Sequence, residues 1–353
     1  MTTINLWKHV DKNVADDISY FWRRVIEGFD YRAGISESFN DTDKAIQWNT
    51  EYFGPNVTMD DRLRYIANNL SNNKDISDRN RVLNFVITHF YGGRDCHRVI
   101  NAELDPRKAY TDFERVLLDP EYLEEIRNNL DRARSLGYSI WSRTELHTSL
   151  MGASNKYAKM EHGFDTHSVN MIAWLAGWIK DGTVDDILES NSLKDCCEIL
   201  LSKEGIGPYY GYHGSTDQST NPNLNFNHDE AFVLPGPGCK TTLKMLFPKL
   251  TNRECSPGDQ VIWVRENQEE LFGKIKFNPH WHNINVDGTD IYSFAQNELT
   301  CYTTEVALCQ YGVYCDMKIN PSRITKRVIS NIDVTPIIES LQQPVTTIEQ
   351  FFI

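Results

Sequence analysis

Apolar positions along this chain recur at intervals of three and four, and strict alternation is scarce, so the pattern reads as amphipathic helices. VADDISYFWRRVIEGF (14–29) has this spacing, and TMDDRLRYIANNL (58–70) opens with Thr58 as a helix cap. SDRNRVLNFVITHFYGG (77–93) starts at a cap and ends in two glycines. DPEYLEEIRNNLDRARSLG (119–137) sets Asp119 at the cap, Pro120 in the first turn and Gly137 at the stop. DTHSVNMIAWLAGWIKDG (165–182) begins at Asp165 and is apolar nearly all round, which predicts a central core helix holding Trp174 and Trp178. NSLKDCCEILLSKEG (191–205) and SPGDQVIWVRENQEELFG (256–273) repeat the cap-to-glycine pattern, and LTCYTTEVALCQYGVYC (299–315) predicts another buried helix. Only NINVDGTDIYSF (283–294) suggests a hairpin, turning at Asp287-Gly288. The Asn, Ser, Thr and Pro content of GSTDQSTNPNLNFNHDE (214–230) argues against a continuous helix there. The fold class expected is mainly α.

Composition narrows the function. The 353 residues suit one large domain or two lobes, with enough chain for a core that needs no staple. No run of eighteen apolar residues marks a membrane span, and the N-terminus lacks an apolar signal core, so a cytoplasmic protein is expected. The eight cysteines, at 96, 196, 197, 239, 255, 301, 309 and 315, form no Cys-x-x-Cys pair, so neither a metal nor a redox site is expected. A net charge of −13 argues against loose nucleic-acid binding but permits a local basic face. Two windows qualify: 231–253, with Lys240, Lys244, Lys249 and Arg253, and 317–327, with Lys318, Arg323, Lys326 and Arg327.

LPGPGCKTT, Leu234 to Thr242, imitates a phosphate-binding P-loop, but Cys239 stands where a glycine must precede the lysine. The stretch upstream carries more. In GIGPYYGY, Gly205 and Gly207 permit a tight bend with positive φ, and Pro208 opens a second helix. This is a helix–hairpin–helix, whose exposed amides can hold a DNA phosphate without side-chain charge. Gly205, Ile206, Gly207 and Tyr209 are therefore candidate DNA contacts, as are Gly236, Gly238, Lys240 and Arg327 downstream.

The arrangement resembles the helix–hairpin–helix DNA glycosylases, in which a Gly-hydrophobic-Gly hairpin is followed about twenty residues later by an essential aspartate; Asp229 has that spacing from Gly207. GIGPYYGYHGSTDQ, DEAFVLPGPGCKTTL and EVALCQYGVYCDMK further resemble the α-glutamyl/putrescinyl thymine pyrophosphorylases and the helical domain of hydroxymethyluracil DNA kinases. The family pattern falls here on Gly205 to Tyr209, Asp217, Gly236 to Gly238 with Asp229 before them, and Glu305 to Cys309, with Gln310 replacing a late acid. The likeness is close over 195–330. FWRRVIEG and HFYGGRDCHR are candidate counterparts in the N-terminal half.

The resemblance implies two helical lobes around a DNA-binding cleft, one two-lobed domain over 1–353 with the hairpin and catalytic region at 195–330, and modified phage DNA as partner. It implies no cofactor and no obligate protein partner. The first expectation is a glycosylase that everts and excises a hydroxymethylated or glucosylated pyrimidine, as defence glycosylases related to this group do. Asp229 would stabilise the oxocarbenium ion or activate water, with Asp217 as second choice. Tyr210, Tyr212, His213 and His228 would line the base pocket. The hairpin lysine of bifunctional lyases is absent, since Tyr209 and Tyr210 stand there, so an abasic site would be left unnicked. The alternative is a transferase adding an amino acid or polyamine to activated 5-hydroxymethyluracil in DNA. A non-catalytic DNA-binding module is the third reading, and it would tolerate Asp229→Asn. His280 and His282 lack a third metal ligand and read as structural, Trp281 as core or wedge, and Arg94 and Arg98 as phosphate grips or partners of acids.

Overall fold

A computed structural model describes residues 5–32, 34–39, 43, 45–46, 65–90, 97, 100, 110–136, 156, 167–227, 229–277, 285–286, 289–290 and 298–323. Thr58, Arg94, Arg98, Gly137, Asp165, His228, His280, Trp281, His282, Lys326 and Arg327 lie outside them. The described elements are α1 (Lys12–Arg32), a π-helical turn (Ile66–Ser71), α2 (Asp78–Phe90), α3 (Phe113–Leu118), α4 (Pro120–Ser135), α5 (His167–Lys180) and α6 (Thr183–Leu188). There follow α7 (Leu193–Leu201), α8 (Pro208–Gln218), α9 (Pro237–Leu246), α10 (Pro257–Glu266), α11 (Gln268–Phe272), β1 (Asn285–Val286), β2 (Thr289–Asp290) and α12 (Cys301–Ile319). The described residues are mainly helical, and the two short strands pair antiparallel, Asn285 with Asp290 and Val286 with Thr289.

The described residues of 214–230 form no continuous helix, as expected, although the polar run lets α8 reach Gln218. Its hydroxyls bond back to carbonyls of their own chain three residues earlier: Ser215 Oγ to Tyr212 O at 2.7 Å, and Thr216 Oγ1 to His213 O at 2.7 Å. A polar side chain satisfied in this way needs no solvent, and the whole run from Ser215 to Asn221 is buried. One expectation is corrected: residues 256–273 form two helices. Asn267 caps the first by donating its Nδ2 to Trp263 O at 2.8 Å.

By its contacts the chain divides into two compact units, 1–67 with 191–201 and 207–329, and 68–190 with 202–206 and 330–353. In the second, Asn84 donates to the carbonyls of Asn80 and Thr111, both at 2.7 Å, and accepts from the Thr111 amide at 2.7 Å. Asn80 accepts from the Phe113 amide at 2.7 Å, so two buried asparagines of α2 fix where α3 begins. Buried His97 lies between the hydroxyls of Thr88 and Thr111, and desolvation pushes its pKa down to about 3, so it is a neutral structural histidine. Asp119 caps α4 through the Tyr122 amide at 3.1 Å, as its sequence predicts.

In the first unit α12 is the central element. Trp22 of α1 donates to Ala307 O at 3.3 Å, and Phe21 stacks on Tyr314. Tyr311 and Tyr314 donate to Asp17 and Asp43 at 2.6 and 2.7 Å. Helix α9 crosses α12 where both carry glycine. A Cβ on Gly312 would stand 2.6 Å from Gly238 O, and one on Gly238 would stand 2.7 Å from Cys309 Sγ. Backbones this close exclude any side chain. Gly312→Ala is therefore expected to cost about 1–3 kcal/mol, read as a lowered urea midpoint with an unchanged slope.

Candidate active site

Helices α7 and α8 form a hairpin. Its connection bends at Gly205 (φ 89°), a left-handed conformation that favours glycine. Gly207 differs from the sequence expectation: its φ of −92° is ordinary, and it serves as N-cap to Pro208 at the first helical position. The helices close tightly, because a Cβ on Gly211 would lie 2.7 Å from the Leu201 side chain. Ile206 is buried.

Helix α8 then places an aromatic group on one side of a buried acid. Tyr209, half-buried in the first turn, packs on His213 one turn later, with ring centroids 4.2 Å apart. Tyr210 is buried edge-on to Tyr209. Tyr212 is fully buried against Phe232 and Tyr302, and its phenol oxygen has no hydrogen-bond partner among the described residues. His213 shares a 3.3 Å contact from Nδ1 to the Tyr302 hydroxyl. Its Nε2 lies 3.6 Å from Glu305 Oε2, just beyond hydrogen-bond reach.

Glu305, which the sequence marks only as the start of a motif, is that acid. It is 1 % exposed, in the first turns of α12. Oε1 accepts the Gly236 amide at 2.8 Å, where α9 begins, and Oε2 has no hydrogen-bond partner among the described residues. Burial raises its pKa to about 7, against the opposing pull of the Gly236 amide and the Lys240 ammonium. The groups that acid–base chemistry needs thus meet here: a carboxyl that changes charge near neutrality, an imidazole beside the oxygen that lacks a hydrogen bond, and a half-buried tyrosine packed on that imidazole. The sequence did hold one signal: Glu305 is the lone acid in the apolar stretch 299–315.

The other expected site residues fall elsewhere. Asp229 is engaged on both oxygens, Oδ2 with Arg265 at 2.6 Å and Oδ1 with the Cys301 amide at 2.9 Å. That is an ion pair and a bond to the first amide of α12, so each carboxylate oxygen already accepts from one donor. Asp217 is fully buried in the last turn of α8, within the polar run described above. Gly238 meets Cys309 at the α9–α12 crossing, a packing role. Lys240 is exposed on α9. Burial holds the thiols of Cys239 and Cys309 protonated, the latter pushed up to about 12. LPGPGCKTT is the cap and first turns of α9. The amide of Gly236 faces the Glu305 carboxylate, which would repel a triphosphate. Among the described residues no three His, Cys, Asp or Glu side chains gather to hold a metal, and no helix is long and apolar enough to cross a membrane.

Glu305 has a consequence for stability. Between its ordinary pKa of 4.5 and about 7 the folded protein holds a proton that the unfolded chain releases. Stability from this group is therefore full below about 4.5 and lost as pH rises through about 7. Glu305→Gln keeps an acceptor for Gly236 and cannot ionise. Its stability relative to the parent should rise by about 1.4 kcal/mol for each pH unit crossed within that window, measured by urea denaturation from pH 4.5 to 8.

A family model described as "5-hmdU DNA kinase, helical domain" matches residues 52–322. No curated protein and no solved structure matches the chain. The matched span takes in most of the chain, including the hairpin, the start of α9 and the Glu305 helix, and the chain belongs to the 5-hmdU DNA kinase helical-domain family.

Proposed function

We propose that this protein modifies 5-hydroxymethyluracil in DNA, adding an amine-bearing group such as an amino acid or polyamine to the activated 5-methylene carbon. The observation that carries the reading is the Oε2 of Glu305, buried without a hydrogen bond beside His213, on which Tyr209 packs. The family membership supplies the substrate class. An everted nucleotide would stack against Tyr209. The amine nitrogen attacks the methylene carbon, a C–N bond forms, and the C–O bond to a phosphate or pyrophosphate breaks with its electron pair leaving on oxygen. The nitrogen's proton passes to Glu305, with His213 placed to share it. A base with a pKa of about 7 is suited to this task at neutral pH. Lys240, exposed and close enough to influence Glu305, would offset charge on the departing phosphate.

The glycosylase reading draws on the same carboxyl, which could instead activate water against C1′. Asp229 serves it poorly, because both of its oxygens are engaged.

The test uses duplex DNA carrying plain, hydroxymethylated or phosphorylated hydroxymethyl uracil, with and without a polyamine or amino acid. The expected result is a mass gain on the base that requires both the phosphorylated base and the amine. Glu305→Gln should lower this rate by about 10²-fold or more, and the parent's rate should rise with pH through about 7. Asp229→Asn should cost stability while leaving the rate per folded molecule nearly unchanged. Alkali-labile sites formed without amine would establish the glycosylase reading instead, and unaltered DNA in every arm would overturn both.

A further inference from the structure

An acidic protein that acts on DNA must hold a polyanion against its own net charge of −13. The exposed side of α9 offers a way. Lys240 and Lys244 are both exposed there, one turn apart, and line a shallow hollow with Phe247, Asn252 and Gln260. Lys249 and Arg253, also exposed, flank the hollow's far wall in sequence. None of these four cations has an ion-pair partner among the described residues, in contrast to Lys12, Lys194, Lys203, Lys274 and Lys318 of the same protein. The nearest acids in sequence are already in use. Glu254 accepts from the amide and hydroxyl of Thr251, at 2.8 and 2.7 Å, and Asp259 accepts from the Ser256 hydroxyl at 2.6 Å. The two acids keep their negative charge, but the four cations outnumber them, so the patch stays net positive.

We infer that the α9 face bearing Lys240, Lys244, Lys249 and Arg253 is the surface that grips the DNA phosphate backbone. The occupant is a duplex strand. Helical rise sets Lys240 and Lys244 about 6 Å apart along the axis, a span of about two phosphates of one strand. The same helix begins at Gly236, whose amide holds Glu305, so the grip and the acid belong to one rigid element. The hollow's exposed Asn252 adds an uncharged side chain of the kind that contacts phosphate oxygens. The inference rests on the DNA reading above but does not depend on the chemistry proposed for Glu305.

The experiment measures binding of labelled, unmodified duplex DNA by fluorescence anisotropy across salt from about 50 to 200 mM. For the parent protein, log Kd should rise linearly with log salt. Lys240→Ala and Lys244→Ala should each reduce that slope by about 0.9, and the double variant should bind roughly ten-fold more weakly at low salt. Lys12→Ala, which removes a paired cation on α1, should match the parent. Parent-like slope and affinity in the double variant would overturn the assignment of this face and leave the proposed chemistry standing. Labelled polyglutamate bound as tightly as duplex would overturn it in favour of an acidic polypeptide. The expected slopes with an inactive enzyme would retire the chemistry alone, and no DNA binding by the parent would retire both.

Discussion

The first unit of this protein is organised around one hydrogen bond, from the Gly236 amide to the Glu305 carboxylate. A buried carboxyl is tolerated only where a donor meets it, and a helix N-terminus supplies both an unpaired amide and a favourable partial charge. The bond therefore fixes where α9 starts. With Gly236 as N-cap and Pro237 next, Gly238 must face Cys309 and Gly312, while Lys240 and Lys244 must face solvent. A start displaced by one residue would turn α9 by about 100° and drive a side chain into the α12 backbone. The glycine crossing and the carboxylate tie thus enforce the same register from two sides.

The tie satisfies only one oxygen. Oε2 has the His213 ring at 3.6 Å, and that ring packs in turn on Tyr209, Tyr212 and Tyr302. Those rings exclude solvent, and that exclusion lifts the acid's pKa to about 7. The cost in stability above neutral pH and the capacity to take up a proton have the same origin. A second donor on Oε2 would remove both, as the contrast with Asp229 shows.

What the sequence disclosed follows the range of the interactions involved. Local chemistry was readable: Asp119-Pro120 opens α4, Gly205 bends the hairpin, and the apolar stretch around Trp174 forms a buried helix. The extent of α8 escapes the sequence because the Ser-Thr run satisfies its hydroxyls within its own chain, an option that composition does not reveal. The partners of the two acids escape the sequence for a longer-range reason. Asp229 has loop spacing like that of a catalytic aspartate, but its partners lie 36 and 72 residues away, at Arg265 and Cys301. Glu305 meets Gly236 across 69 residues. Nothing in either local sequence announces those encounters, and the family motif marks Glu305 without saying which of its oxygens is free.

Asp229 and Glu305 occupy comparable positions, each beside a helix N-terminus, and environment alone separates them. Asp229 is about a third exposed and meets a guanidinium and an amide, so each of its oxygens already has a donor. Glu305 meets one amide and is sealed from solvent, so its charged form is only marginally stable near neutrality. A carboxyl whose charge changes near neutrality, as that of Glu305 does, can both take up and release a proton there. Asp229 in turn fixes the first turn of α12 through the Cys301 amide, and Glu305 sits one turn later on that helix. The saturated acid therefore holds in place the helix that carries the unsaturated one. An asparagine at 229 would keep an acceptor for the Cys301 amide, so loss of the Arg265 pair costs stability without displacing Glu305.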